Sequence, residues 1–316
     1  MDTRGGCPHD GGMKAKEIID TLVHQLLTRR MAITAAGGLA AGGLAMALTG
    51  CAHYFEAHGL SGRVGLQLYS LRDQFGKDVP GTMDQIHNWD IKYVELAGTY
   101  GQTPEDFNQQ LLAHHLDAVS GHFSFDEWAK DPEAVLRQAK VFGLRYVGCA
   151  WIPHEGPFDE AACRKAIAVF NRAGELAAAQ NMTFFYHTHG YEFEPFADGT
   201  LFDLLVRQTD MQNVKFEMDI FWVAHAGQDC AKLLEKYPER WELMHLKDMR
   251  KGTPNGMLNG SSDTRNDVIL GTGELDLPGI LHAAEQDKVK YYFIEDESPD
   301  SVQQIPLSLK YLADFQ

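Results

Sequence analysis

Short apolar runs alternate with longer amphipathic stretches along most of this chain, starting near Arg63. Runs at Val64–Ser70, Tyr93–Gly98, Ala118–Ser124 and Tyr146–Trp151 have the length and the aromatic and β-branched content of buried strands. Four more follow at Thr183–His189, Val214–Trp222, Trp241–Lys247 and Tyr291–Glu297. The stretches between them carry a helical spacing of apolar positions, among them Pro104–His115, Pro132–Phe142, Glu160–Gln180 and Pro278–Gln286. Thr103-Pro104, Asp131-Pro132 and Leu277-Pro278 read as helix starts, because proline tolerates the first turn, and Gly143 reads as a stop. Eight such units in about 250 residues predict an α/β fold with the strands closed into a (β/α)8 barrel. A doubly wound open sheet is the alternative if a ninth alternation is present.

The polar residues interrupt this pattern in one place only, the strand ends. The fifth predicted strand closes on His187-Thr188-His189 and the sixth carries Glu217 and Asp219. The seventh ends in His245, Lys247 and Asp248, and the eighth in Glu295, Asp296 and Glu297; strands two and three add Glu95 and His122. Side chains two apart on a strand share a face, so His187 and His189 pair, as do Glu217 and Asp219, and His245 and Lys247. In a closed barrel these groups meet at one mouth. Burying them unpaired is costly, and a divalent cation removes that cost. Imidazole with carboxylate suits Mn, Zn, Fe or Co better than Ca. Taken singly, each has a plain structural reading: a hydrogen-bonded core histidine, a loop-capping Asp248 or Glu297, a deep Glu217, or a Lys247 paired with Asp248 or Glu295. Four consecutive strands ending in ligand-type residues favour the metal. The segment Arg250–Gly273, rich in Gly, Asn, Ser and Asp, predicts a long loop on the face where such barrels build their sites.

Before the barrel pattern begins, Arg29 and Arg30 lead into Met31–Thr49, an uncharged and mildly apolar run ending in Leu48-Thr49-Gly50-Cys51. This is similar to a twin-arginine export signal joined to a lipoprotein cleavage box, with Cys51 as the lipidated first residue of the mature chain. A simple transmembrane anchor is the competing reading. Residues 1–50 are thus expected to be an export signal, 51–62 a linker and 63–316 the catalytic barrel. The expected location is the periplasmic face of a bacterial membrane, held there only by the N-terminal lipid. Met13 is an alternative start to Met1.

The net charge of the chain is −16. Beyond residue 50 there are 23 basic against 40 acidic residues, which repels phosphate backbones and argues against nucleic acid as a partner and against an endonuclease. The five cysteines show no CxxC pair, which argues against a disulfide framework; Cys149 reads as a core residue.

Several motifs together are similar to the xylose isomerase-like sugar phosphate isomerase/epimerase family of TIM barrels, over about Val64 to Leu312. They are Gly-Leu-Gln-Leu-Tyr-Ser-Leu-Arg at 65–72, Tyr-Val-Glu-Leu-Ala-Gly at 93–98 and Tyr-His-Thr-His-Gly-Tyr-Glu-Phe-Glu at 186–194. Glu-Met-Asp-Ile-Phe-Trp at 217–222, His-Leu-Lys-Asp at 245–248 and Gly-Thr-Gly-Glu-Leu-Asp at 271–276 complete the set. The resemblance implies one divalent metal (Mn, Zn, Co, Fe or Mg), with Asp219, His245 and Glu295 as ligands. Where many members place a ligand glutamate in a Glu-Asn-His run, this chain has His187-Thr188-His189, so His187 is the fourth expected ligand by position.

The resemblance implies a metal-dependent sugar isomerase or epimerase that moves a proton next to a carbonyl through an enediolate. Glu295, His189, Lys247 and His122 are the expected catalytic groups, and Glu95, Trp151, Glu192 and Trp222 the expected substrate contacts. The exchange of glutamate for His187 weakens a two-base scheme and opens the alternative of a keto-sugar or inosose-type dehydratase or hydratase. A non-catalytic sugar-binding lipoprotein is a third reading. The expected partner is a small, unphosphorylated sugar, and a homo-oligomer is not excluded. Replacing Arg29 and Arg30 by lysine is expected to abolish export, measured by fractionation of the producing cell; unchanged export would sink the twin-arginine assignment.

Overall fold

The computed structural model describes residues 59–315 together with Phe55 and Ala57. The expected export signal, Cys51 and half of the expected 51–62 linker lie outside the described residues. Eight strands alternate with helices: β1 (Arg63–Gln67), β2 (Tyr93–Leu96), β3 (Asp117–His122) and β4 (Tyr146–Cys149), then β5 (Thr183–His187), β6 (Val214–Asp219), β7 (Trp241–Leu246) and β8 (Tyr291–Ile294). Each pairs in parallel with its sequence neighbours, and β8 returns to pair with β1, so the sheet closes on itself. The open-sheet alternative is excluded.

Local chemistry sets the boundaries. The helix Pro104–Ala113 starts where the Thr103 side chain accepts from the Asp106 amide. Pro132–Phe142 is capped by Asp131 and stops at Gly143, whose φ of 69° gives the left-handed turn that ends a helix. Every strand carrying an expected site residue ends earlier than its apolar run. β1 gives way to a 3-10 turn at Leu68–Leu71. Val214–Trp222 divides at Asp219, because the Asp219 carboxylate caps a new helix, Ile220–His225. β5 ends at His187 and β8 one residue before Glu295.

Inward positions on the strands change character with depth. At the lower end Val119, Tyr146, Phe185, Leu243, Tyr291 and Phe293 form a separate apolar cluster made only of strand residues. Two residues further along, the same inward register carries Glu95 after Tyr93, His187 after Phe185, His245 after Leu243 and Glu295 after Phe293. Outward positions join a much larger core between strands and helices, in which Trp128 donates to the Gly148 carbonyl at 3.0 Å.

The segment after β7 is a loop, as its composition predicted, but an anchored one. Asp248-Met249 pairs antiparallel with Asp267-Val268. The Asp248 carboxylate accepts from the amides of Gly271 (3.0 Å), Gly273 (2.9 Å) and Leu275 (3.3 Å). Phe185 is fully buried in the plug beneath the mouth, so Phe185→Ala is expected to cost about 3–5 kcal/mol of stability. Denaturant unfolding followed by circular dichroism measures this; a loss under about 1 kcal/mol would show that the plug repacks.

Candidate metal and substrate site

Asp219 uses its two carboxylate oxygens differently. Oδ1 accepts from the amides of Phe221 (2.8 Å) and Trp222 (3.1 Å). Oδ2 lies 3.9 Å from His187 Nε2 and 3.9 Å from His245 Nδ1. Glu295 Oε2 stands 3.2 Å from the same His245 Nδ1. These atoms come from the ends of four successive strands, β5 to β8, and Thr188 stitches the first two together by hydrogen-bonding the Glu217 carbonyl and the Asp219 amide.

A second layer sits below. His187 Nδ1 is 3.0 Å from Glu217 Oε2, and His245 Nε2 is 2.7 Å from Glu95 Oε1. His122 Nε2 lies between these two carboxylates, 3.0 Å from Glu217 and 3.2 Å from Glu95. Gln67 donates to Glu95 at 2.7 Å and Ser120 donates to its other oxygen. A carboxylate only accepts, so His187 and His245 each donate downward from one ring nitrogen. The other nitrogen of His187 then turns toward Asp219 Oδ2, while the other nitrogen of His245 lies between Glu295 Oε2 and Asp219 Oδ2.

The site is electrostatically strained without a cation. Asp219, Glu217, Glu95 and His245 are fully buried, and His187 nearly so. Burial pushes the Asp219 carboxyl up to about 7 despite Lys247, and burial followed by the Glu95 charge pushes Glu217 up to about 7. Burial, followed by His245 and His189, holds His187 well below the ordinary imidazole range. Glu295 and Glu95 move the other way: burial would raise both, but Lys247 and His245 beside Glu295, and His122 and His245 beside Glu95, outweigh burial and hold them below the usual carboxylate range.

Asp219 Oδ2 and Glu217 Oε1 are buried without a hydrogen-bond partner. Buried polar atoms are nearly always satisfied, so an orphaned carboxylate oxygen facing two imidazole nitrogens fits a cation. Two overlapping sets have the spacing for one: His187, Asp219, His245 and Glu295, and His122, His187, Glu217 and His245. The upper set fits better. In it His187 presents Nε2 and His245 presents Nδ1, while their other nitrogens rest on Glu217 and Glu95, which is how metal-bound imidazoles are usually oriented. Its mixed N/O donors accept Zn, Mn, Fe or Co.

Above the upper set opens a cavity of about 370 Å³. His187, His189, His122 and Glu295 border it, with Trp151 and Trp222 as aromatic walls. His189 packs near-parallel to Trp222 at 5.9 Å, and its buried Nδ1 has no partner. Gly190, at φ 90°, lets this loop approach the helix Ile220–His225, since a Cβ there would lie 2.9 Å from the Trp222 carbonyl.

Two expected substrate contacts are corrected. Glu95 is fully buried in the second layer and does not border the cavity. Glu192 is also fully buried; it accepts from the Tyr186 hydroxyl and the His189 amide and so braces the loop after β5. Strand parity put Glu95 on the correct face, but depth decided access; Glu192 lies beyond the end of β5, where parity does not apply. Lys247 is buried and ion-paired with Glu297, with Glu295 at 3.4 Å and with Asp267 at 3.7 Å; Asp248 serves the loop instead. Five residues bordering the cavity were not foreseen: Gln67, Tyr69, Ala97, Ala150 and Gly260. Gln67 had a signal, since it shares the inward register of β1; Gly260 reaches the site through a loop and had none.

A model of the xylose isomerase-like TIM barrel family matches residues 83–315. An inosose dehydratase from Geobacillus thermodenitrificans is 26% identical over 150 residues, 45% of this chain, and the chain spans about half (49%) of that relative's length. Among solved structures, a sugar phosphate isomerase/epimerase from Parabacteroides distasonis has a TM-score of 0.66 and 22% identity, covering 80% of this chain and 98% of the other. The IOLI protein with a binding zinc atom has a TM-score of 0.61 and 13% identity, covering 79% of this chain and 95% of the other. At these identities the structural likeness is one of fold.

The purified barrel is expected to bind one divalent ion per chain at the upper set, read by elemental analysis after dialysis. Asp219→Asn is expected to abolish retention, and Glu217→Gln to weaken affinity about 10–100-fold by releasing His187 from below. Wild-type protein that retains no ion after incubation with Zn, Mn or Co would refute the site.

Proposed function

The chain belongs to the xylose isomerase-like TIM barrel family, and on that premise we propose that it is a metal-dependent lyase that removes a proton next to the carbonyl of an unphosphorylated keto-sugar and then expels water. One observation carries the choice of lyase. Among the described residues, the only carboxylates that border the cavity are Glu295 and Glu297, both at the end of β8. Glu95, Glu192 and Glu217 lie below or behind it. Epimerisation needs proton donors on both faces of the reacting carbon, whereas elimination can be served from one side.

In this reading His187, Asp219, His245 and Glu295 hold the ion. A divalent ion there would polarise substrate oxygens and stabilise the negative charge left as the proton departs. Glu295 remains ionised because Lys247 and His245 sit beside it, so it can accept a proton. Lys247 keeps Glu297 at the same edge through their ion pair. Trp151 and Trp222 offer flat apolar walls to a sugar ring, and their bulk excludes water from the reacting face. The inosose dehydratase relatives support loss of water. An exported location, suggested by Arg29, Arg30 and Cys51, suits an unphosphorylated substrate.

Isomerisation or epimerisation is the second reading. It is favoured by His189, which borders the cavity away from β8 with an unpartnered Nδ1. Incubation of the metal-loaded protein with inosose and keto-sugars in deuterium oxide separates the two. The expected result is loss of water with deuterium exchange, slowed about 10²–10⁴-fold in Glu295→Gln. Exchange that returns an epimer without loss of water would favour the second reading, and no exchange with any of Zn, Mn, Co or Mg would overturn both.

A further inference from the structure

Beyond Trp222 a second cavity of about 190 Å³ adjoins the first. Trp222, Gly260 and Glu297 border both, so the two are compartments of one cleft. Resting on the reading of the first cavity as a sugar site, we propose that the second is a subsite for another sugar unit, so that the substrate is a neutral glycoside of two linked rings.

The chemistry of the walls points to a carbohydrate. Among the described residues, Trp222 is the only apolar side chain bordering the second cavity; the remainder are hydroxyls, carboxylates, Gly260 and Lys247. Ser262 Oγ accepts from Asn266 at 2.9 Å, which leaves its own proton to donate. Ser261 and Thr264 add two further hydroxyls. One aromatic face surrounded by small donors and acceptors suits a polyhydroxylated ring. It does not suit an apolar group, which would leave these polar atoms unpaired.

Charge excludes a phosphate. Among the described residues, Lys247 is the only lysine or arginine bordering either cavity, and Glu295, Glu297 and Asp267 already surround it. Of the nearby arginines, Arg72 is bonded to the Tyr69 and Glu297 carbonyls, Arg265 is paired with Asp263 and Arg250 is bonded to the Arg265 carbonyl. An added dianion would meet carboxylates without a free cation, and like charges at contact distance repel strongly where water is excluded.

The second compartment is also built in advance. Its outer wall is the loop after β7, which is tied down at Asp248 and by the Arg250 amide to the Asn266 carbonyl at 2.8 Å. Gly260, at φ 60°, brings this loop against the first cavity: a Cβ there would lie 3.0 Å from Trp151 and 3.3 Å from His189. The loop therefore joins the two compartments through a fixed contact, and a ligand that fills both needs little reordering to bind.

Calorimetric titration of the metal-loaded protein tests this without requiring turnover. The probes are α- and β-linked neutral disaccharides of glucose, galactose and mannose, their monosaccharides, and glucose 6-phosphate. At least one disaccharide is expected to bind ten-fold or more tightly than its monosaccharides, with the phosphate weakest. Ser261→Trp, which fills the second cavity from an exposed position, is expected to abolish the disaccharide advantage and leave monosaccharide binding unchanged. Thr264→Val, with no added bulk, is expected to reduce the advantage partially. Equal binding of one and two rings, tighter binding of the phosphate, or an advantage that survives Ser261→Trp would overturn the subsite while leaving the first cavity's assignment intact. Binding of no sugar at all would overturn both.

Discussion

The structure turns on a shortage of protons at the barrel mouth. Glu95, Glu217, Asp219 and Glu295 meet His122, His187 and His245 in a space with almost no access to water. Each histidine can satisfy a carboxylate below it, and two do so with one nitrogen while turning the other upward. What remains is Asp219 Oδ2, buried without a hydrogen-bond partner and facing two imidazole nitrogens. Such an arrangement is unfavourable by several kcal/mol unless a cation or a proton relieves it. The lower carboxylates therefore have a defined duty, which is to fix the tautomer and tilt of the histidines above them. Their carboxylates share none of the cavity, yet the upper geometry depends on them.

Most of the fold was legible because a barrel strand has one simple rule, alternation, and the apolar runs obeyed it. The eight strands, the helix starts at Thr103 and Asp131 and the helix stop at Gly143 follow from local chemistry alone. The site was legible to the same extent. Parity identifies the inward register on β2, β3 and β5 to β8, which puts His187, Asp219, His245 and Glu295 on one face. Parity gives a direction but no depth. Glu95 follows Tyr93 in that register and Glu217 precedes Asp219, yet both fall below the cavity floor rather than on it. Glu192 was misjudged for a related reason. It lies beyond a strand end, where the chain turns back, and Tyr186 captures it inside the core.

The contacts of Lys247 show the other boundary. Its partner Glu297 lies two residues beyond Glu295 and was visible as a strand-end acid. Asp267 sits in the loop twenty residues downstream of Lys247, and only the antiparallel pairing of Asp248-Met249 with Asp267-Val268 brings it home. No periodicity predicts a pairing of two-residue strands across a loop. The loop thus contributes a charge to the mouth and the outer wall of the cleft, and both depend on tertiary closure rather than on local sequence preference.

The divided role of Asp219 limits what can occupy that position. One oxygen begins the short helix that carries Trp222, and the other faces the two imidazoles. Glutamate would preserve the negative charge, but one added methylene separates the carboxylate from its own backbone and spoils the cap. Charge and shape are therefore not interchangeable here. The aromatic wall shared by the two cavities takes its position from the same carboxylate that faces the two imidazoles, so any change in how that side chain sits is transmitted to the cleft as well as to the cluster of ligand-type groups beneath it.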